Sequence, residues 1–279
     1  MKPSPPSMKT RPTPAVDINM PSAARVYDYW LGGAHNFEVD RDLAAKVEKD
    51  APTAPLFAVL NRRFVSRAVK HMVSLGITQF LDLGSGLPTA GNVHEIAQWF
   101  DPTCRVVYVD KDPISTSFAD LFLRNAQLPN VGFVLGWLQD VDAILSSDDV
   151  QRLIDRSQPL GLIMTAVLHF VPNSDDPAGI IAQYRDALAG GSRFAFSHVL
   201  ADIHGTTKAA RHYKASQDPA HLRSYAEIEE LAHVFGPLDE PGLVYTPSWC
   251  PENPMDGDKD PSVGLALGAV AAKCTAAAT

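Results

Sequence analysis

Gln79-Phe80-Leu81-Asp82-Leu83-Gly84-Ser85-Gly86 decides the fold. Phe80, Leu81 and Leu83 make a short apolar strand that runs straight into a glycine turn, and a helix follows over Val93–Phe100. Gly84 and Gly86 let the backbone turn tightly and approach a ligand with no Cβ in the way. The next segment, residues 105–109, is rich in β-branched residues and reads as a strand ending on Asp110. Strand, glycine turn, helix and a second strand closing on an acid make one βαβ unit.

The same alternation continues outward. Strands are expected at Val131–Leu135, 160–167 and Arg193–Val199, and helices at 113–127, 149–156, 176–189 and 225–235. Pro113 suits a first helical turn, and Ser224 with Glu227 forms a capping-box pattern. Two further strands, 243–245 and 263–272, flank a proline-rich excursion. Strands of this kind, alternating with helices, form a parallel sheet covered on both faces. Ligands bind such sheets at the carboxyl ends of the strands.

Ahead of this unit, helices are expected at 22–31, 40–49 and 56–75. Gly32-Gly33 stops the first, Pro52 and Pro55 break the chain before the third, and Gly76 ends it. Pro3, Pro5, Pro6, Pro12, Pro14 and Pro21 crowd residues 1–21, which read as a disordered tail. The expected organisation is tail 1–21, helical cap 22–76 and core 77–279, with an insertion at 201–223.

The chain has 279 residues and a net charge of −8. That length fits one large domain, or one with a cap, and can bury a core without disulfides or metals. Cys104, Cys250 and Cys274 lie far apart, with no CxxC or Cys/His ligand spacing. A disulfide framework and a zinc site are disfavoured, and a reducing, cytoplasmic setting is expected. The acidic balance argues against a general nucleic-acid binder. The longest apolar run, 263–272, is too short for a bilayer, which needs about 20 residues, and the N-terminus lacks the apolar stretch of a signal peptide.

The glycine turn and Asp110 point to an adenosine-containing ligand, because an acid ending the second strand can accept both ribose hydroxyls. A nicotinamide site would want a third small residue where Thr89 stands, with Pro88 intervening. Asp82 would repel a pyrophosphate but attract an ammonium. S-adenosylmethionine carries an amino group and a sulfonium at that end, so Asp82 favours this cofactor or its product, S-adenosylhomocysteine. The plain alternative is a strand-to-helix turn with a solvated or capping aspartate.

Leu81 to Gly86 and the terminal Asp110 resemble motifs I and II of class I S-adenosylmethionine-dependent methyltransferases. Longer strings narrow the likeness: Arg25-Val26-Tyr27-Asp28-Tyr29-Trp30-Leu31-Gly32-Gly33, Gly86 to Glu95, and Ala166-Val167-Leu168-His169-Phe170-Val171-Pro172. They resemble the "S-adenosyl methyltransferase" family abundant in high-GC Gram-positive bacteria, over about residues 21–272. The resemblance implies an α/β, Rossmann-like class I methyltransferase fold. It would hold a seven-stranded, mostly parallel sheet of order 3-2-1-4-5-7-6 with an N-terminal helical cap.

It also implies site roles. Asp82, Gly84, Ser85 and Gly86 would hold the methionine end and Asp110 the ribose, with Lys111 beside it. Trp137 and Leu138 would flank the adenine, and Thr165, near the carboxyl end of the fourth strand, would face the cofactor. Members of this class usually carry an acid after the third strand, where Trp137 stands. An indole cannot accept the amino hydrogen bond; it can stack or fill space, and Gln139 or Asp140 can take the amino group. His169 is the candidate base for a hydroxyl acceptor; the alternative is a histidine that only pins its loop. Tyr27, Tyr29, Trp30 and Asn36 would close over the cofactor, or Tyr27 and Trp30 merely dock a helix.

His204, His212 and His221 crowd the insertion, but their spacing fits no standard zinc motif, and no metal is expected. A solvated amphipathic helix is the simpler reading, although in this class such an insertion often lines the acceptor pocket. No HExxH, GxSxG or Walker lysine appears. Two functions follow: a methyltransferase acting on an oxygen or nitrogen of a small molecule, or a non-catalytic binder of the cofactor with a regulatory role. A nicotinamide oxidoreductase is third, disfavoured by Asp82 and Thr89.

Overall fold

The period-two alternation of a strand explains how the sheet divides its residues. In β1 (Gln79–Leu83), Leu81 and Leu83 face one side while Phe80 and Asp82 face the other. A computed structural model describes residues 11, 17–87, 91–115, 117–118, 128–252 and 260–274. In it β1 lies inside a sheet of order β3-β2-β1-β4-β5-β7-β6. The other strands are β2 (Arg105–Asp110), β3 (Val131–Leu135), β4 (Gly161–Thr165), β5 (Arg193–Val199), β6 (Val244–Tyr245) and β7 (Ala266–Ala272). β1 to β5 pair in parallel, and β7 runs antiparallel to β5 and β6. This is the class I methyltransferase order that the motifs imply.

Helices α1 (Ala23–Trp30), α2 (Glu38–Asp50) and α3 (Ala54–Ser74) precede the sheet. After them come α4 (Val93–Phe100), α5 (Val141–Leu145), α6 (Asp148–Leu153), α7 (Pro177–Ala187), α8 (Thr206–Ala210) and α9 (Tyr225–Val234). Pro55 lies inside the first turn of α3 rather than ahead of it, because an N-terminal turn has no use for that amide. Two strands start or stop two or more residues short of expectation. β4 ends at Thr165 because Ala166 takes φ 52°, and β7 begins at Ala266 because Leu265 takes φ 55°. Of the helix expected over 113–127, the described residues 113–115 and 117–118 are helical. The rest of it, together with Pro88 and Thr89, lies outside the described residues.

Three apolar clusters hold the molecule together. On one sheet face Leu81, Val107, Leu162 and Phe194 pack with α5, α6, α7 and α9. On the other, Phe80, Val106, Ile163 and Val270 pack with α3, α4 and Trp249. A third cluster lies between α1–α3 and the segment around α8, and Ile203 packs against both it and the first. Burial of each large side chain contributes about 1.5–3 kcal/mol, so the sheet faces supply most of the driving force.

The cap is tied down by charge. Arg25 is fully buried; its Nε donates to Asp40 Oδ2 at 2.8 Å, and Asp112 lies 3.8 Å from its Nη1. Asp40 also accepts from the Ser22 and Phe37 amides, so one carboxylate joins the starts of α1 and α2. The body continues ahead of Ser22. Gln217 donates to the carbonyls of Asp17 and Met20, and Arg25 to that of Met20. Residues 17–21, counted with the tail on proline content, are therefore hydrogen-bonded to the body. Among the described residues, no helix is long and apolar enough to cross a membrane.

Candidate active site

The strand ends open onto a cavity of about 690 Å³, within the range of small-molecule sites. Its wall includes Asp82, Gly84, Ser85, Gly86, Asp110 and Lys111. Trp137, Leu138, Thr165, His169 and Tyr27 line it too. Asn36 does not. Its Nδ2 donates to Asp28 Oδ2 and the Gly33 carbonyl, and its Oδ1 accepts from Arg41, so it braces its own loop. Tyr29 is also outside the wall and partly exposed.

The glycine turn is shaped by close approach. Gly84 takes φ 73°, and a Cβ there would lie 2.2 Å from Val167 Cγ2. Gly86 takes φ 67° and donates its amide to Asp110 Oδ2 at 2.7 Å. The Asp112 amide donates to the other oxygen, Oδ1, at 2.8 Å. Asp110 is thus fixed from two sides while lining the cavity. Burial pushes its carboxyl up to about 6 although these two amides favour the charged form.

Asp82 sits on the same sheet face as Phe80 and so looks toward α3, which supplies Arg62 to the wall. Burial pushes the Asp82 carboxyl up to about 7, opposed by the Arg62 guanidinium and reinforced by Asp110. The guanidinium of Arg62 also lies 5.9 Å from the Tyr27 ring centroid. Tyr27 in turn donates to the Ala58 carbonyl at 2.9 Å and accepts from Asn61 Nδ2 at 3.0 Å. Asn61 Oδ1 accepts from Ser197 Oγ at 2.6 Å, and that oxygen receives the Ala166 amide at 2.9 Å. One hydrogen-bond chain therefore runs from the end of β4 through β5 and α3 to the cap.

Next to Asp110, Lys111 Nζ lies 4.6 Å from the Trp137 ring centroid and pairs with Asp218 at 2.5 Å. Asp218 also accepts the Ala23 amide at 2.7 Å, joining the insertion to α1. Gln139 lines the cavity, its Nε2 donating to Asp175 at 3.2 Å. Asp140 lies outside the wall and accepts the Arg11 amide.

His169 is 4% exposed, and its Nδ1 has no hydrogen-bond partner among the described residues. Burial holds its imidazole well below the usual range, helped by His198 and the charge of Arg223. Arg223, buried at 3% exposure, donates to the carbonyls of Leu168 and Val171, to Asn173 Oδ1 and to His198 Nε2. It clamps the turn that carries His169. Arg62, Asp112, Asp218 and Arg223 escape sequence reading, because nothing in their local spacing sets them apart from surface charges.

The histidines of the insertion are held apart. His204 bonds Ser262, and His212 bonds Asp50. Among the described residues no group of three or more His, Cys, Asp or Glu is set to hold a metal. The insertion is amphipathic, and its buried face, Thr206, Ala209 and Tyr213, lines the cavity rather than serving only as a solvated helix.

A family model described as S-adenosyl methyltransferase matches residues 9–274. The chain belongs to the S-adenosyl methyltransferase family. Among solved structures, this methyltransferase is similar to a Thermobifida fusca protein assigned as a methyltransferase, at 37% identity. That match has a TM-score of 0.86 and covers 93% of this chain and 97% of the other. A DUF574 family protein of Streptomyces avermitilis matches at 34% identity and TM-score 0.86, covering 92% of this chain and all of the other (100%). An O-methyltransferase family protein of Burkholderia thailandensis shares the fold, at 11% identity and TM-score 0.53 over 92% of this chain and 65% of its own. No curated protein matches the chain.

The cofactor of the family is S-adenosylmethionine, and the cavity fits it. Asp82 and Arg62 bring opposite charges to the wall, the 84–86 turn has glycine at both ends, and Asp110 presents a carboxylate to the same cavity.

Proposed function

We propose that this enzyme transfers a methyl group to an oxygen or nitrogen of a small molecule, with His169 as the base. The observation that carries this reading is a buried, neutral imidazole with an unpartnered nitrogen, held just beyond β4 in the wall of the cavity. The bound cofactor supplies an electrophilic methyl on sulfur. His169 takes the acceptor's proton as the new bond to the methyl carbon forms and the carbon–sulfur bond breaks, its electron pair staying on sulfur. A base with so low a pKa is a weak proton acceptor, so the proton moves together with methyl transfer rather than ahead of it. Alignment of donor and acceptor lowers the rest of the barrier.

In this reading Asp82 binds the ammonium and Arg62 the carboxylate of the amino-acid end. Ser85 and the flanking glycines pass close to it, and Asp110 accepts the ribose hydroxyls. Lys111 and Trp137 border the adenine beside Leu138. Gln139 offers Oε1 to the adenine amino group, because its nitrogen is committed to Asp175. Thr165 faces the sulfur end. Residues 22–76 act as the cap and 201–223 as the acceptor-side insertion.

The test is calorimetric. S-adenosylmethionine and S-adenosylhomocysteine should both bind and NAD should not. Asp110→Ala should weaken binding about tenfold or more, as the loss of hydrogen bonds to a charged group predicts. His169→Ala should retain that binding and lose turnover. Unchanged affinity in Asp110→Ala would move the ribose elsewhere, and full turnover in His169→Ala would remove the base.

A further inference from the structure

The cavity has two chemically distinct ends. Most of the charged wall residues gather at one of them: Arg62, Asp82, Asp110, Lys111, Asp112 and Asp218. The other end is walled by members of the third apolar cluster. Tyr27, Trp30 and Phe57 come from the cap, and Phe170, Tyr213 and Leu265 from the core and insertion. Asp28, a charged wall residue on α1, is 1% exposed and accepts from the His35 amide and Asn36 through Oδ2. Lys208 and His212 of the insertion stand outside the wall and pair with Asp50. An anionic acceptor would meet only Arg62, which reaches the Tyr27 ring at 5.9 Å and already faces Asp82, and a cationic one only Asp28, whose unbonded Oδ1 is buried against Gly33. Burying either without a partner is unfavourable.

Shape narrows the choice further. Ala51, Ala54, Ala209 and Ala210 provide small surfaces on facing elements, leaving room between aromatic walls. Tyr27 meets Phe57 edge to face at 6.1 Å, and Phe170 meets Tyr213 at 5.6 Å. Such faces and edges suit an inserted ring. Phe170 continues to His169 at 4.4 Å, so the aromatic wall leads to the proposed base. The Tyr27 hydroxyl is already committed to Ala58 and Asn61 and does not compete for the acceptor's polar group.

We propose that the acceptor is an uncharged aromatic alcohol, its ring held between cap and insertion and its hydroxyl at His169. This rests on the methyl-transfer reading but concerns only what the chamber binds. The test measures binding of three probes to the full-length enzyme, with and without saturating S-adenosylhomocysteine. They are 2-naphthol, 6-hydroxy-2-naphthoate and trans-2-decalol. We expect 2-naphthol to bind about tenfold or more tightly than either of the others. Ala210→Phe, on a half-buried position, and Ala54→Phe should each weaken 2-naphthol about tenfold while S-adenosylhomocysteine affinity stays within about twofold.

Equal or tighter binding of the carboxylate or of the saturated alcohol overturns the acceptor class. Unchanged 2-naphthol affinity in a folded Ala210→Phe enzyme overturns the location, and S-adenosylhomocysteine binding with no 2-naphthol binding overturns both. Should 2-naphthol bind as expected while S-adenosylhomocysteine does not, the cofactor assignment fails and the chamber's chemistry stands.

Discussion

Asp82 is a carboxylate kept out of water with its charge only partly compensated. Its folded pKa of about 7 lies above the ordinary 3.8, so the proton is bound more tightly in the folded state. That contribution to stability is complete below about pH 4 and is lost as pH rises through 7. Asp82→Asn should therefore stabilise the ligand-free protein at pH 8 by about 1–4 kcal/mol relative to wild type, with the gain fading toward pH 4. The same substitution should weaken S-adenosylmethionine about tenfold or more. In the wild type, affinity should fall as pH drops from 8 to 5.5, because the ammonium needs the ionised form. Denaturation curves and calorimetry across that range check all three. Arg223 poses the complementary case, a buried cation satisfied by oxygens and one imidazole nitrogen. Arg223→Met strands those acceptors and should cost about 2–4 kcal/mol in urea unfolding. It should also lower kcat more than the cofactor KM, since the turn it holds carries His169. Arg223→Lys should recover part of the stability but not the turn's geometry, because an ammonium cannot reproduce the guanidinium fork.

The elements meet at a few fixed points, and one of the closest is where the end of α2 meets the turn into α8. Gly205 takes φ 82°, and a Cβ there would lie 1.9 Å from the Asp50 carbonyl oxygen. Lys208 and His212 then reach the Asp50 carboxylate at 2.6 and 2.8 Å. Gly205→Ala should destabilise the protein by about 2 kcal/mol or more and raise the acceptor KM while sparing the cofactor. Thermal melts and steady-state kinetics give the answer. At this scale the sequence is most informative where contact is local. The strand–turn–helix order, the acid ending β2 and the capping box of α9 all lie within a few residues of each other, and the structure has them as expected. The string from Arg25 to Gly33 becomes intelligible only in three dimensions: Arg25 needs Asp40 and Asp112, and Gly33 makes room for Asp28. Asn36 shows the converse. A polar residue beside aromatics reads alike whether it faces a cavity or its own loop. Arg62 and Arg223 lie far along the chain from the residues they serve, so no spacing rule reaches them.

Taken whole, the molecule combines two solid cores with a third that surrounds a cavity. The third supplies most of the apolar wall of that cavity, so it should open more readily. Native-state hydrogen exchange should be fastest in α1, α2 and the segment around α8, and slowest in β1, β4 and β5. Adding S-adenosylhomocysteine with an acceptor should slow the first group selectively. At 100 times its dissociation constant a ligand adds about 2.7 kcal/mol, which sets the size of the effect. Uniform protection across the sheet and the cap would mean that they open as one unit.

The placement of the indoles gives the molecule an optical readout. Trp249 is fully buried beneath the sheet and Trp99 is 84% exposed on α4, both away from the cavity. Trp137 borders the end with the charged residues, under the ammonium of Lys111, and Trp30 borders the apolar end, bonded to Glu48. With Trp99 and Trp249 replaced by phenylalanine, the two remaining fluorophores look into one chamber from opposite ends. Removing one more tryptophan at a time separates the emission change caused by the nucleoside from that caused by the aromatic guest, so the order in which the two ligands enter becomes a stopped-flow measurement.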